Sequence, residues 1–174
     1  MKKHKLLLAE GACLVLAVLW FLFRPELLFI DSRVSEALPE EGSRKGAGAD
    51  SEPSILAQGT FHSVAHQSQG EATVYQFEDG KRLVRFTNFE TSNGPAVYVY
   101  LVAAKDANDS ETVKNADTIN LGALKGNKGD QNYDLPTGID LGKYQAVTIW
   151  CQRFSVNFAT APLKGTKELS AAGE

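Results

Sequence analysis

The chain has 174 residues, with 18 basic and 21 acidic side chains, a net charge of -3 and two cysteines. That length allows one domain with a hydrophobic core and accessory segments. The charge balance leaves no basic stripe for nucleic acid, and two cysteines alone build neither a disulfide framework nor a four-ligand zinc site.

Lys2, Lys3 and Lys5 precede Leu6–Phe23, a run of eighteen residues whose only charge is Glu10. At about 1.5 Å per residue such a helix reaches about 27 Å, near the hydrocarbon thickness of a bilayer. No small-x-small cleavage site follows closely. Residues 1–30 therefore read as a signal-anchor, a single transmembrane helix that attaches the chain to the cell membrane. The lysines keep the N-terminus cytoplasmic and place the C-terminal domain outside the cytoplasm.

Residues 31–58 hold six acids, three bases, two prolines and no aromatic residue. Such a stretch buries too little apolar surface to offset its conformational entropy, so it is expected to be a flexible linker. The tail, 164–174, is expected to be disordered for the same reason.

Aromatic and β-branched residues return in 59–163. Ala72–Phe77 and Lys81–Phe89 flank Asp79-Gly80, a pair that tolerates positive φ and signals a hairpin. Val84 and Phe86 alternate with Arg85 and Thr87, as a half-buried strand requires. Asn93-Gly94-Pro95 is a turn, and Val97–Ala103, apolar on both faces, is a central strand. Lys105–Asp117 is polar and reads as a surface loop or a short helix. Ile119–Leu124, Gln131–Leu135, Ala146–Cys151 and Phe154–Thr160 complete the set. The expectation is an all-β domain, an antiparallel β-sandwich or small barrel of about seven or eight strands. It is preceded by the transmembrane helix and the linker.

Cys151 is the residue of chemical interest. Its only partner in the chain would be Cys13, which the topology places in the bilayer, so an unpaired thiol outside the cytoplasm follows. Val147, Ile149 and Cys151 share one strand face, whereas Phe154, Val156 and Phe158 have the opposite parity. A bulge or turn at Gln152-Arg153 reconciles the two, and bulges often lie beside functional sites. Arg153 beside the sulfur would favour the thiolate. The competing reading makes Cys151 a small buried hydrophobe.

His62 and His66 on one strand would lie about 13 Å apart, too far to share a metal. No metal site is expected. Tyr98, Tyr100, Tyr133 and Trp150 read as core or rim aromatics. No Gly-x-Ser-x-Gly elbow, Walker loop or Cys-x-x-Cys occurs, and no stand-alone enzyme activity is marked. A hydrolase would need Cys151 as nucleophile and His66 as base, with no third orienting residue to assign.

Several of these segments together resemble the DM13 domain family. They are Gly59-Thr60-Phe61, His66, Gly70-Glu71-Ala72, Asp79-Gly80, Asn93-Gly94-Pro95, Val97–Leu101, Leu121-Gly122, Leu124–Asn127, Gly129–Tyr133, Val147–Cys151 and Phe154–Phe158. The resemblance spans about 59–163. It implies an extracytoplasmic β-rich domain acting in electron transfer. Its characteristic cysteine, either a bare redox thiol or a ligand for a group such as haem, falls on Cys151, and a typical histidine falls on His66. Other redox domains accompany this one in animal members. None is present here, so the resemblance also implies a separate protein as electron donor.

Two functions remain open. One is a redox module using Cys151, with His66 and Arg153 as helpers and a redox protein as partner. The other is a non-catalytic cell-surface binding module in which Cys151 is buried and structural.

Overall fold

The computed structural model describes residues 2–23, 30–39 and 52–166. These divide into two units, 1–30 and 31–174.

The first unit is helix α1, Lys2–Phe23. Its described side chains run from Glu10 to Val18 with Trp20 and Phe21, and all are exposed. Among the described residues no helix is long and apolar enough to cross a membrane. The expected transmembrane span is thus not found among the described residues.

The second unit is mostly β. Its strands are β1 (Arg33–Ser35), β2 (Ser54–Thr60), β3 (His62–Ser63), β4 (Gln69–Gln76), β5 (Arg82–Glu90), β6 (Val97–Val102), β7 (Thr118–Ala123), β8 (Lys128–Leu135), β9 (Ala146–Cys151), β10 (Val156–Pro162) and β11 (Lys164–Gly165). They form a six-stranded sheet in the order β1-β8-β5-β4-β2-β11 and a five-stranded sheet in the order β3-β10-β9-β6-β7. The result is sandwich-like. The strands beyond the expected seven or eight are the short edges β1, β3 and β11, of three, two and two residues. Segments so short leave no periodic trace in a sequence.

Alternation explains the core. Val74, Val84 and Phe86 from one sheet meet Val99, Leu101, Val147 and Ile149 from the other, all fully buried. Phe61, Phe86 and Phe89 pack mutually with ring centroids 4.9–5.0 Å apart, and Tyr133 stands 5.1 Å from Phe86. Each such buried side chain contributes roughly 1.5–3 kcal/mol. The β4–β5 hairpin closes through Asp79-Gly80, with Gly80 at φ 80°.

The polar stretch left open as loop or helix contains helix α2, Ser110–Asn115, capped by the Asp109 side chain accepting from Thr112 N. Val113 of α2 joins Val102, Ala107 and Ala146 in a second apolar cluster, against which Tyr100 and Trp150 pack half-buried.

The linker assignment needs revision at both ends. Residues 33–35 form β1, in parallel register with Lys128–Asp130 of β8. β2 begins at Ser54, five residues before the expected boundary, and pairs with β4. Polar side-chain bonds, and not apolar burial, hold the first of these, which is why composition reads it as a spacer. Residues 40–51 and 167–174 lie outside the described residues. Lys164 and Gly165, read as the start of a tail, pair with β2.

Candidate functional site

Cys151 ends β9, and strands on both sides fix it. Val97 of β6 is its register partner on one flank and Val156 of β10 on the other. The inward phase of Val147 and Ile149 carries it into the core, and its exposure is 0%. Its Sγ–H donates to the carbonyl oxygen of Pro95 at 3.3 Å. Pro95 belongs to the turn Asn93–Ala96, which the Gln152 N–H also bonds through Ala96 O at 3.0 Å.

That turn is tightly specified. A Cβ added at Gly94 would lie 2.9 Å from Phe158 Cζ and 3.0 Å from Val97 Cγ2, so only glycine fits without displacement. Ala96 has φ 62°, and Ser155, just before Val156, has φ 52°. Left-handed backbone at alanine or serine is strained, and such positions cluster at functional sites. Among the described residues, two of the three non-glycine residues with positive φ thus bracket Cys151; the third, Asn88, is of a type that tolerates the conformation.

On the far side of Phe158 lies His66. Its ring packs on the Phe158 ring with centroids 3.8 Å apart, and its backbone N–H donates to Phe158 O at 3.2 Å. His66 is half-buried in the loop between β3 and β4. No hydrogen bond joins it to Cys151. Cys151 bonds to Pro95, while His66 packs on and bonds to Phe158.

Arg153 is exposed on the turn Gln152–Ser155 and, among the described residues, makes no hydrogen bond or ion pair. The parity break is that turn: β9 and β10 form a hairpin, with Cys151 opposite Val156, and the register irregularity falls later, between Asn157 and Ala159. Adjacency in sequence places Arg153 beyond the reversal and in water.

A haem does not fit. The sulfur has no free surface, and its proton is already bonded to a backbone carbonyl. Val97 and Val156 occupy both flanks. Among the described residues no group of three or more metal-ligating side chains gathers. His62, far from chelating with His66, bonds Asp106 Oδ1 through Nε2 at 2.8 Å.

A cleft of about 350 Å³ opens on the outer side of the same turn, walled by Ser92, Asn93, Gly94 and Ala96 and, opposite, by Lys125 and Asn127. Cys151 does not line it; the residues on either side of Pro95 do. The opposite wall is shaped by buried polar groups. Tyr133 Oη donates to Gln131 Oε1 at 2.7 Å and accepts from Lys125 N at 3.0 Å, and Gln131 Nε2 donates to Gly126 O at 2.7 Å. Burial pushes the Tyr133 phenol well above its ordinary range, so it stays protonated and keeps donating.

Sequence reading marks Cys151, His66 and the Asn93-Gly94-Pro95 turn, but does not join the turn to the cysteine. Pro95 and Cys151 are 56 residues apart, and only the β6–β9–β10 register brings them together.

These features define a β-sandwich module built around one covered thiol. The match to known families is specific: residues 60–163 match the family described as Electron transfer DM13, and the chain belongs to it. Neither a curated protein nor a solved structure matches the chain.

Proposed function

We propose that this chain is an electron-transfer module in which Cys151 is a guarded thiol, exchanging electrons with a redox protein when the turn Asn93–Ala96 opens. The observation that carries the reading is the pair of strained residues, Ala96 and Ser155, bracketing a sulfur whose single hydrogen bond goes to that turn. Family membership supplies the electron-transfer context. In the step itself the Cys151 thiol gives up its proton and its sulfur attacks a disulfide of the partner. The partner's S–S bond breaks as the mixed disulfide forms, and the departing sulfur takes up a proton. Cys151 is oxidised and the departing sulfur reduced. Cys151 is the single cysteine of the domain, so a thiol of a separate electron donor resolves the mixed disulfide: it attacks Cys151 Sγ and frees the partner as a dithiol, and a second donor thiol then restores the Cys151 thiol as the donor leaves as a disulfide.

We place the domain outside the cytoplasm, attached by the N-terminal segment. The lysines before Leu6 and the apolar run to Phe23 support this reading. Extraction of membranes with alkaline carbonate tests it: the protein stays in the pellet, and release into the supernatant contradicts attachment.

The test of the redox role is exchange with glutathione disulfide on the full chain carrying Cys13→Ser. Cys151 acquires glutathione under native conditions, read by mass, and dithiothreitol reverses it. Failure to acquire it without denaturant removes the role.

Complete burial of the sulfur favours a second reading, a binding module with a structural cysteine. Under that reading Cys151→Ser keeps the cellular phenotype, and substitution of Tyr98 or Tyr100 loses it.

A further inference from the structure

The segment 31–39 touches the domain in an unusual way. It contributes no residue to either apolar cluster. Its strand β1 makes the single parallel pairing among the described strands, and parallel pairs are slightly weaker per residue. What holds it is polar. Glu36 receives both of its carboxylate oxygens' bonds from Lys125 Nζ, at 2.8 and 2.9 Å, and a third from Asn132 N at 2.7 Å. Arg85 Nη1 donates to Glu36 O at 2.8 Å, and Asn132 Nδ2 to Ala37 O at 2.8 Å. Five residues earlier, Asp31 bonds Lys128 at 2.7 Å and Asn127 Nδ2 at 2.8 Å.

The receiving surface is shaped for a passing backbone. A Cβ at Gly129 would collide with Val34 O, and one at Gly126 with Ser32 O. Gly129 also has φ 99°. Asn127 Oδ1 accepts from Ser32 N at 2.7 Å. The dock therefore has two glycine notches for main chain and two cationic seats, Lys125 and Lys128, for carboxylates.

We propose that the outer edge of β8 is a peptide-binding site for an extended acidic segment with carboxylates five residues apart, and that residues 31–39 are its displaceable intramolecular occupant. A segment tied mainly by polar bonds at a sheet edge opens at less free energy than the core, because its apolar residues Val34, Leu38 and Pro39 are only half-buried and join neither apolar cluster. A partner protein presenting such a segment adds a strand to β8 in its place.

The test uses the full chain with Asp31→Asn and Glu36→Gln together, which weakens the occupant and leaves the dock intact. A fluorescent peptide of residues 30–39 is titrated and followed by anisotropy. It binds the weakened chain at least about tenfold more tightly than the native chain, whose own segment competes. Adding Lys125→Ala to the weakened chain abolishes that gain. No binding to the weakened chain, equal binding to both, or indifference to Lys125→Ala overturns the proposal. Amide exchange supplies the second measurement. In the native chain the Glu36 and Lys128 amides exchange by a local opening, faster than those of β5 and β9. Exchange only through global unfolding, or failure of the weakened chain to fold, makes the segment an integral strand and likewise overturns it.

Discussion

At Gly94 the absence of a side chain keeps Cys151 covered. A methyl group there meets Phe158 and Val97 inside ordinary contact distance, and overpacking of that kind costs typically ~1–3 kcal/mol. Gly94→Ala is expected to lower the urea midpoint by a corresponding amount. It also lifts the turn from Phe158 and accelerates alkylation of Cys151, whereas a merely global destabilisation would accelerate every buried group alike. Arg153 gives the opposite prediction. Exposed and without a bonded partner, it exerts a field that water screens, so Arg153→Ala leaves the alkylation rate of Cys151 within about twofold; a larger change would restore the guanidinium to the site. The sulfur was legible in the sequence because Cys151 is the single cysteine of the β domain. Its cover was not, because Pro95 reaches it only through strand register. The surroundings of Arg153 were not legible for a related reason: the parity break marks a reversal at Gln152-Arg153, but not that the turn Gln152–Ser155 leaves the guanidinium exposed.

At the scale of elements, β5, β6, β9 and the Asp79-Gly80 hairpin follow from alternation and turn chemistry. Strand β1 does not, since its docking depends on charge and on glycine notches in β8, which no hydrophobic pattern records. The electrostatics of this docking set its pH dependence. Burial raises the Glu36 carboxyl, but its bonds from Lys125 and Asn132 N and the nearby Arg85 charge outweigh that and hold it below the usual carboxylate range. Asp31 is lowered through its bonds from Lys128 and Asn127, and Lys128 is raised by Asp31 and Glu90. Asp130, paired with Arg85 at 2.7 Å, completes the charged surroundings. A carboxyl whose folded value is depressed stabilises docking fully above its unfolded value, roughly pH 4.3, and loses that stabilisation as pH falls through the depressed value. Residues 31–39 are therefore expected to release below about pH 4 while the sandwich persists. Amide signals of Glu36 and Lys128 would report it; release on raising the pH through neutrality would contradict the assignment.

Across the whole molecule, two sheets enclose a core of valines and phenylalanines that leaves little freedom inside, so functional motion belongs to the turns. The turn that covers the sulfur also lines the 350 Å³ cleft. Under the proposed function, opening of that one turn is what would expose the thiol to its partner. The most direct test is the alkylation rate of Cys151 in the full Cys13→Ser chain, followed across low denaturant concentrations. The account predicts a rate nearly independent of denaturant and far above the global unfolding limit, as local opening of Asn93–Ala96 requires. A rate that rises in step with global unfolding would contradict it and leave Cys151 as packing alone.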